Sequence, residues 1–166
     1  ELHPERTLDI RTDTRIELGG TALSVCEVPG HTPGSVVILD ERSNRLFTGD
    51  AIGSGYGVWM QTPTAVPLET YYESLVHLLK WLVDRGGRMT FHGGHRYQMF
   101  QSTHVPAFNP PSLGLLCDLI DLVDQIVHGK IVGRISNVDN IMELEPVLYA
   151  AYGRAEIQYK ASNIRI

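Results

Sequence analysis

Apolar residues recur at every third or fourth position from Leu68 through Tyr72, Leu75 and Leu79 to Leu82, and Gly86-Gly87 ends the run. That spacing predicts an amphipathic helix with Pro67 in its first turn. A second stripe, Leu116, Leu119, Ile120, Val123 and Val127, is bounded by Ser112 as a capping residue and Gly129 as a terminator. Asp118, Asp121 and Asp124 mark its wet side. Elsewhere the period is two. Residues 15–18 alternate, Gly19-Gly20 interrupts and residues 22–28 resume an extended pattern, which is a hairpin signal. Residues 35–40 and 45–48 read as a further pair of strands around a polar turn, and residues 89–92 as another short strand. Residues 51–66, broken by Gly53, Gly55, Gly57 and Pro63, have no period and read as a long loop. A third helical stretch is expected within residues 140–152, starting there or at Pro146, and residues 155–160 and 163–166 read as strands. Interleaved strands and helices without an internal repeat place the chain in a mixed α/β class.

At 166 residues the chain has the length of one domain with one core. Fourteen Lys plus Arg against nineteen Asp plus Glu give a net charge of -5, so a nucleic-acid partner is not expected. Cys26 and Cys117 are the two cysteines, and their spacing builds neither a zinc ribbon nor a disulfide framework. Each reads as a small buried hydrophobe. No apolar run approaches the roughly 18 residues of a bilayer span, so no membrane partner is expected.

The chemistry lies in three short stretches, each following an expected strand: Pro29-Gly30-His31-Thr32-Pro33-Gly34-Ser35, Phe47-Thr48-Gly49-Asp50 and Phe91-His92-Gly93-Gly94-His95. Strand ends hold ligands rigidly while the turns leave room for solvent and substrate, and glycine beside each ligand removes a crowding Cβ. Two imidazoles and a carboxylate suit zinc, with manganese or iron as alternatives, and the carboxylate can bridge two ions. In the third stretch His92 is an alternative ligand to His95. His77, His104 and His128 have no ligand-like context.

The Gly-His-Thr-Pro-Gly-Ser and Phe-Thr-Gly-Asp stretches resemble the C-terminal half of the metallo-β-lactamase superfamily, especially its glyoxalase-II-like hydrolases. The resemblance runs from about Asp9 through His95 and more faintly beyond. It implies an α/β fold, the C-terminal half of a four-layer αββα sandwich, with residues 1–166 forming a portion of one domain. It also implies that His31 binds a first metal, that Asp50 bridges two divalent ions, and that His95 binds the second. In such enzymes two ions activate water for attack on an ester, thioester or related bond. Asp50 is then the catalytic residue as well as a ligand.

The family's upstream His-x-His-x-Asp-His motif does not occur in this chain. Each ion would have one histidine of its own and a share of Asp50, fewer protein ligands than a zinc site needs. The expected partners are therefore a small-molecule substrate and an N-terminal portion of the same domain, from the same original chain or a second one. The isolated chain is expected to be inactive. Tyr56, Trp59 and Met60 are candidate substrate contacts, with plugging of the sandwich edge as the equal alternative, and Arg96 and Tyr97 are read as packing residues. A noncatalytic interaction domain derived from the same fold is the alternative function, and a nuclease of the same superfamily is a weaker third, its cationic region confined to Arg85, Arg88 and Arg96.

Overall fold

The structure is a computed structural model, and it describes residues 8–53, 57–95, 110–136 and 145–165. The alternating segments become strands β1 (Arg15–Glu17), β2 (Ala22–Glu27), β3 (Val36–Asp40) and β4 (Arg45–Gly49), joined in sequence as antiparallel neighbours. The period-3.6 segment becomes helix α1 (Leu68–Asp84), which returns the chain so that β6 (Thr90–Gly93) pairs parallel to β4. This first sheet has the order β1-β2-β3-β4-β6. A second sheet, ordered β5-β9-β8-β7, is built from β5 (Val58–Trp59), β7 (Arg134–Ile135), β8 (Leu148–Tyr152) and β9 (Ala155–Tyr159). Helix α2 (Leu113–Val127) lies on β8 and β9, α1 lies on β2, and the two helices pack on each other. One continuous apolar cluster joins them, from Val37, Leu39 and Leu46 through Leu75, Leu78 and Trp81 to Leu119, Leu122 and Ile157.

Helix ends follow the capping chemistry of the sequence. Ser112 Oγ accepts the Leu115 amide at 3.1 Å and begins α2, and Gly129, at φ +65, lets the chain leave it. We expect Ser112→Ala to lower the unfolding free energy by about 1 kcal/mol, seen as a lower urea midpoint at unchanged slope.

Four expectations are corrected. The helical stretch expected within residues 140–152 is instead strand β8 from Leu148 onward, with Pro146 before it; residues 137–144 lie outside the described residues. Ladders on both sides, to β7 and β9, hold Leu148–Tyr152 extended despite its two alanines. Of the strand expected over residues 163–166, residues 163–165 are not extended in a ladder and Ile166 lies outside the described residues: Ala161–Asn163 is a turn of 3-10 helix, closed by the Asn163 side chain accepting the Lys160 amide at 2.9 Å. The long loop contains β5, which adds to β9 in parallel. On α1 the buried face is also turned from the expected one. Tyr71, Leu78 and Trp81 are buried with Leu68, Leu75 and Leu82, whereas Tyr72 and Leu79 are half-buried.

In the first sheet one face, with Val37, Leu39, Leu46 and Phe91, is buried. On the other face Ile38, Phe47 and His92 sit side by side, and Phe47 is 43% exposed.

Candidate functional site

The first stretch forms the β2–β3 turn. Val28 donates to Ser35 at 2.8 Å, closing the turn at its base, and Thr32 and Ser35 exchange hydroxyl and amide bonds inside it. The His31 ring stands at the turn's crest, with Nδ1 2.7 Å from the Trp59 carbonyl oxygen. A carbonyl only accepts, so Nδ1 carries a proton, and the neutral tautomer compatible with this contact presents its lone pair at Nε2. A hydrogen bond of this kind is how metal-ligating imidazoles are oriented. Thr62 adds a bond from its hydroxyl to the His31 carbonyl at 3.1 Å, and Val66 donates to the Gly30 carbonyl at 3.0 Å. The long loop thus holds the His31 turn from one side.

Asp50 follows β4 at a sharp turn that Gly49 makes possible at φ +52. Ala51 donates to Thr48 at 3.0 Å and Gly53 to Asp50 at 3.3 Å, so the turn is closed by its own backbone. His95 arrives from β6, whose parallel register sets Gly93 opposite Gly49. Gly94 donates to the Gly49 carbonyl at 3.2 Å. A Cβ on Gly94 would stand 3.1 Å from the Gly49 Cα and 3.5 Å from Asp50 Oδ1, so glycine admits the close approach of the two loops. His95 Nε2 then lies 3.3 Å from Asp50 Oδ2.

The structure brings Asp50 and His95 together. His31 stands apart, since no three side chains of ligand type converge among the described residues. His92 points elsewhere: its ring stacks on Phe47 at 5.4 Å, and its buried Nε2 has no hydrogen-bond partner among the described residues. Met60 is fully enclosed in the core, while Trp59 beside it is 44% exposed. Tyr56, Arg96, Tyr97 and His104 lie outside the described residues. Cys26 is buried, and burial pushes its thiol up to about 11, whereas Cys117 is exposed, contrary to its expected burial. His77 and His128 are also exposed, and His128 Nδ1 meets the Asp124 carbonyl at 2.9 Å.

Tyr71 escaped the sequence reading. Its ring is wholly buried beneath Gly30, and its hydroxyl donates to the Ala51 carbonyl at 2.7 Å. Burial raises its phenol well above the usual tyrosine range, so it remains a donor. The Tyr71-Tyr72 pair offered two equivalent aromatic positions, and only the direction of the helix face separates them.

In kind, the donors fit a divalent metal: a His31 ring with Nε2 left free by its tautomer, and a carboxylate facing an imidazole across a glycine-lined gap. In number, the donors among the described residues do not close a site.

Residues 2–96, more than half of the chain, match the family model described as the metallo-beta-lactamase superfamily. No curated protein matches. Among solved structures, the chain is similar to a metallo-beta-lactamase from Pontibacter korlensis, at 20% identity and a TM-score of 0.47 over 68% of this chain and 46% of that one. It is similar to ETHE1 from Myxococcus xanthus, at 21% identity and 0.44 over 69% and 51%. A third is the archaeal metallo-beta-lactamase superfamily protein ST1585 from Sulfolobus tokodaii, at 21% identity and 0.46 over 84% and 46%. The chain spans about half the length of these structures. The match over residues 2–96 contains all three strand-end stretches, and the chain belongs to the metallo-β-lactamase superfamily, whose members are metal-dependent hydrolases.

Proposed function

We propose that His31, Asp50 and His95 are ligands of a binuclear site, zinc first with manganese or iron as alternatives, in a hydrolase of esters, thioesters or related bonds. The observation that carries this reading is the meeting of Asp50 and His95 at 3.3 Å, where the parallel pair β4–β6 ends. Donors from outside this chain complete the set, supplied by an N-terminal portion of the same domain. The half-open sheet face with Ile38 and Phe47 supports such a covering portion. When bound, divalent ions supply Lewis acidity and acidify water, the chemistry that hydrolysis near neutral pH requires.

The chain's own residues prepare that chemistry. The Trp59 carbonyl fixes the His31 tautomer and ring plane. Asp50, held by its closed turn, presents a carboxylate oxygen to His95 and would be the ligand shared between the ions. Trp59, whose carbonyl holds His31 and whose ring is 44% exposed, is a candidate substrate contact, whereas Met60, fully buried, is withdrawn as one. A noncatalytic interaction domain would use the same open face, and thioester hydrolysis restored by adding a segment with His-x-His-x-Asp-His excludes it.

Zinc titration calorimetry tests the ligand assignment. His31→Ala, Asp50→Asn and His95→Ala are each expected to weaken zinc binding at least tenfold. Zinc binding indifferent to all three substitutions sinks the assignment, and two tightly held ions in the chain by itself would remove the need for outside donors.

A further inference from the structure

We infer that Tyr71 is a positioning residue for the metal site, clamping the His31 turn and the Asp50 turn to α1 with one buried side chain; this rests on the reading of His31 and Asp50 as ligands. The two turns come from different parts of the first sheet, one between β2 and β3 and the other after β4. Neither needs the other for its own backbone closure, since Val28–Ser35 and Thr48–Ala51 bonds are internal to each. Tyr71 touches both. Its ring fills the space where Gly30 lacks a Cβ, one residue before His31, and its hydroxyl reaches the Ala51 carbonyl, one residue after Asp50.

The anchor is stiff at its own end. Tyr71 lies in the first turn of α1, its amide donates to the Pro67 carbonyl at 3.0 Å, and its side chain is fully buried. Ala51 is 2% exposed, so no solvent replaces the phenol on its carbonyl. A buried carbonyl without its donor relaxes by turning the Ala51–Ile52 peptide plane, which pivots at Ala51, and the expected consequence is a looser hold on the turn that carries Asp50. The ring alone would hold the Gly30 side. Hydroxyl and ring therefore separate: removing the hydroxyl disturbs the Asp50 turn and leaves the His31 support in place.

Tyr71→Phe tests this in the full chain. The probe is cobalt(II) alone, followed by the paramagnetic shifts of the His31 and His95 imidazole protons, which register weak as well as tight binding. The substitution is expected to raise the half-saturating cobalt concentration about tenfold, the range found for groups that orient ligands without touching the metal. Leu119→Ala, a cavity in α2, which bears neither turn, is expected to remove at least as much stability and to leave that concentration unchanged. Replacing Tyr71 by 3-fluorotyrosine keeps the hydroxyl and is expected to return wild-type binding. If the wild-type imidazoles do not shift, the ligand reading falls and takes this inference with it. If they shift and the Tyr71→Phe titration superimposes on the wild type, or the Leu119→Ala titration moves equally, the ligand reading stands and the role of Tyr71 is overturned.

Discussion

Trp81→Ala is expected to lower the unfolding free energy by about 3–5 kcal/mol, measured as a fall in the urea midpoint. The indole, on α1, is 4% exposed and part of the apolar core, so its loss leaves a cavity as well as forfeiting its burial. It also breaks a clasp. The indole Nε1 donates to Asp13 Oδ1 at 2.8 Å, Arg85 Nη2 reaches the same oxygen at 2.7 Å, and the Arg85 guanidinium lies 3.9 Å from the ring centroid. These bonds fasten the segment before β1 to the last turn of α1. The Trp81 hydrogen bond, with Arg85 behind it, holds the Asp13 carboxyl below its usual range. A depressed carboxyl stabilises the fold above its ordinary pKa and ceases to do so as the pH falls through the folded value. Trp81→Phe, which keeps a ring and loses the N–H, should therefore lose less at neutral pH than Trp81→Ala and show a weaker dependence on acid below about pH 4. An Ala variant within 1 kcal/mol of wild type would contradict the burial assigned to this residue.

Gly30→Ala is expected to cost about 1–3 kcal/mol and to displace His31. The added Cβ would stand 2.5 Å from Tyr71 Cε2. The ring cannot yield cheaply, because it is buried in α1 and held at its far end by the Ala51 carbonyl. Gly34 in the same turn provides the comparison: a Cβ there meets nothing within 4 Å and its backbone does not favour glycine, so Gly34→Ala should stay within about 0.5 kcal/mol of wild type. Urea unfolding of the two variants separates contact from turn chemistry. Equal midpoints would show that the Tyr71 ring does not fill the space at Gly30.

The strand-end stretches were legible because each carries its chemistry within a few residues, and hairpin signals at Gly19-Gly20 and the polar turn before Arg45 fixed the strands leading to them. Both long helices were legible through period and caps. What escaped depended on contacts across the chain. Leu148–Tyr152 falls within the stretch expected as helix around Pro146, yet its extended form comes from pairing on both sides. Val58–Trp59 has too few residues to show a period, and β9 alone makes it a strand. Tyr71 and Tyr72 are adjacent and both aromatic, so the small rotation that buries one of them decides which becomes the clamp, and that rotation is set by Trp81 and Leu78 farther along the helix. Backbone carbonyls leave no trace in composition, which hid the support that Trp59 gives His31.

The parallel pairing of β4 with β6 has a kinetic side. Among the described residues β6 is an edge strand, hydrogen-bonded to β4 alone and reached only through the whole of α1. A contact that must wait for a long excursion to close forms late, and an edge strand opens at lower free energy than the interior of its sheet. The two halves of the candidate site are therefore expected to differ in lifetime, the His31 and Asp50 turns opening with the core helix and His95 with β6, so a ligand held by both Asp50 and His95 would also lock this edge strand.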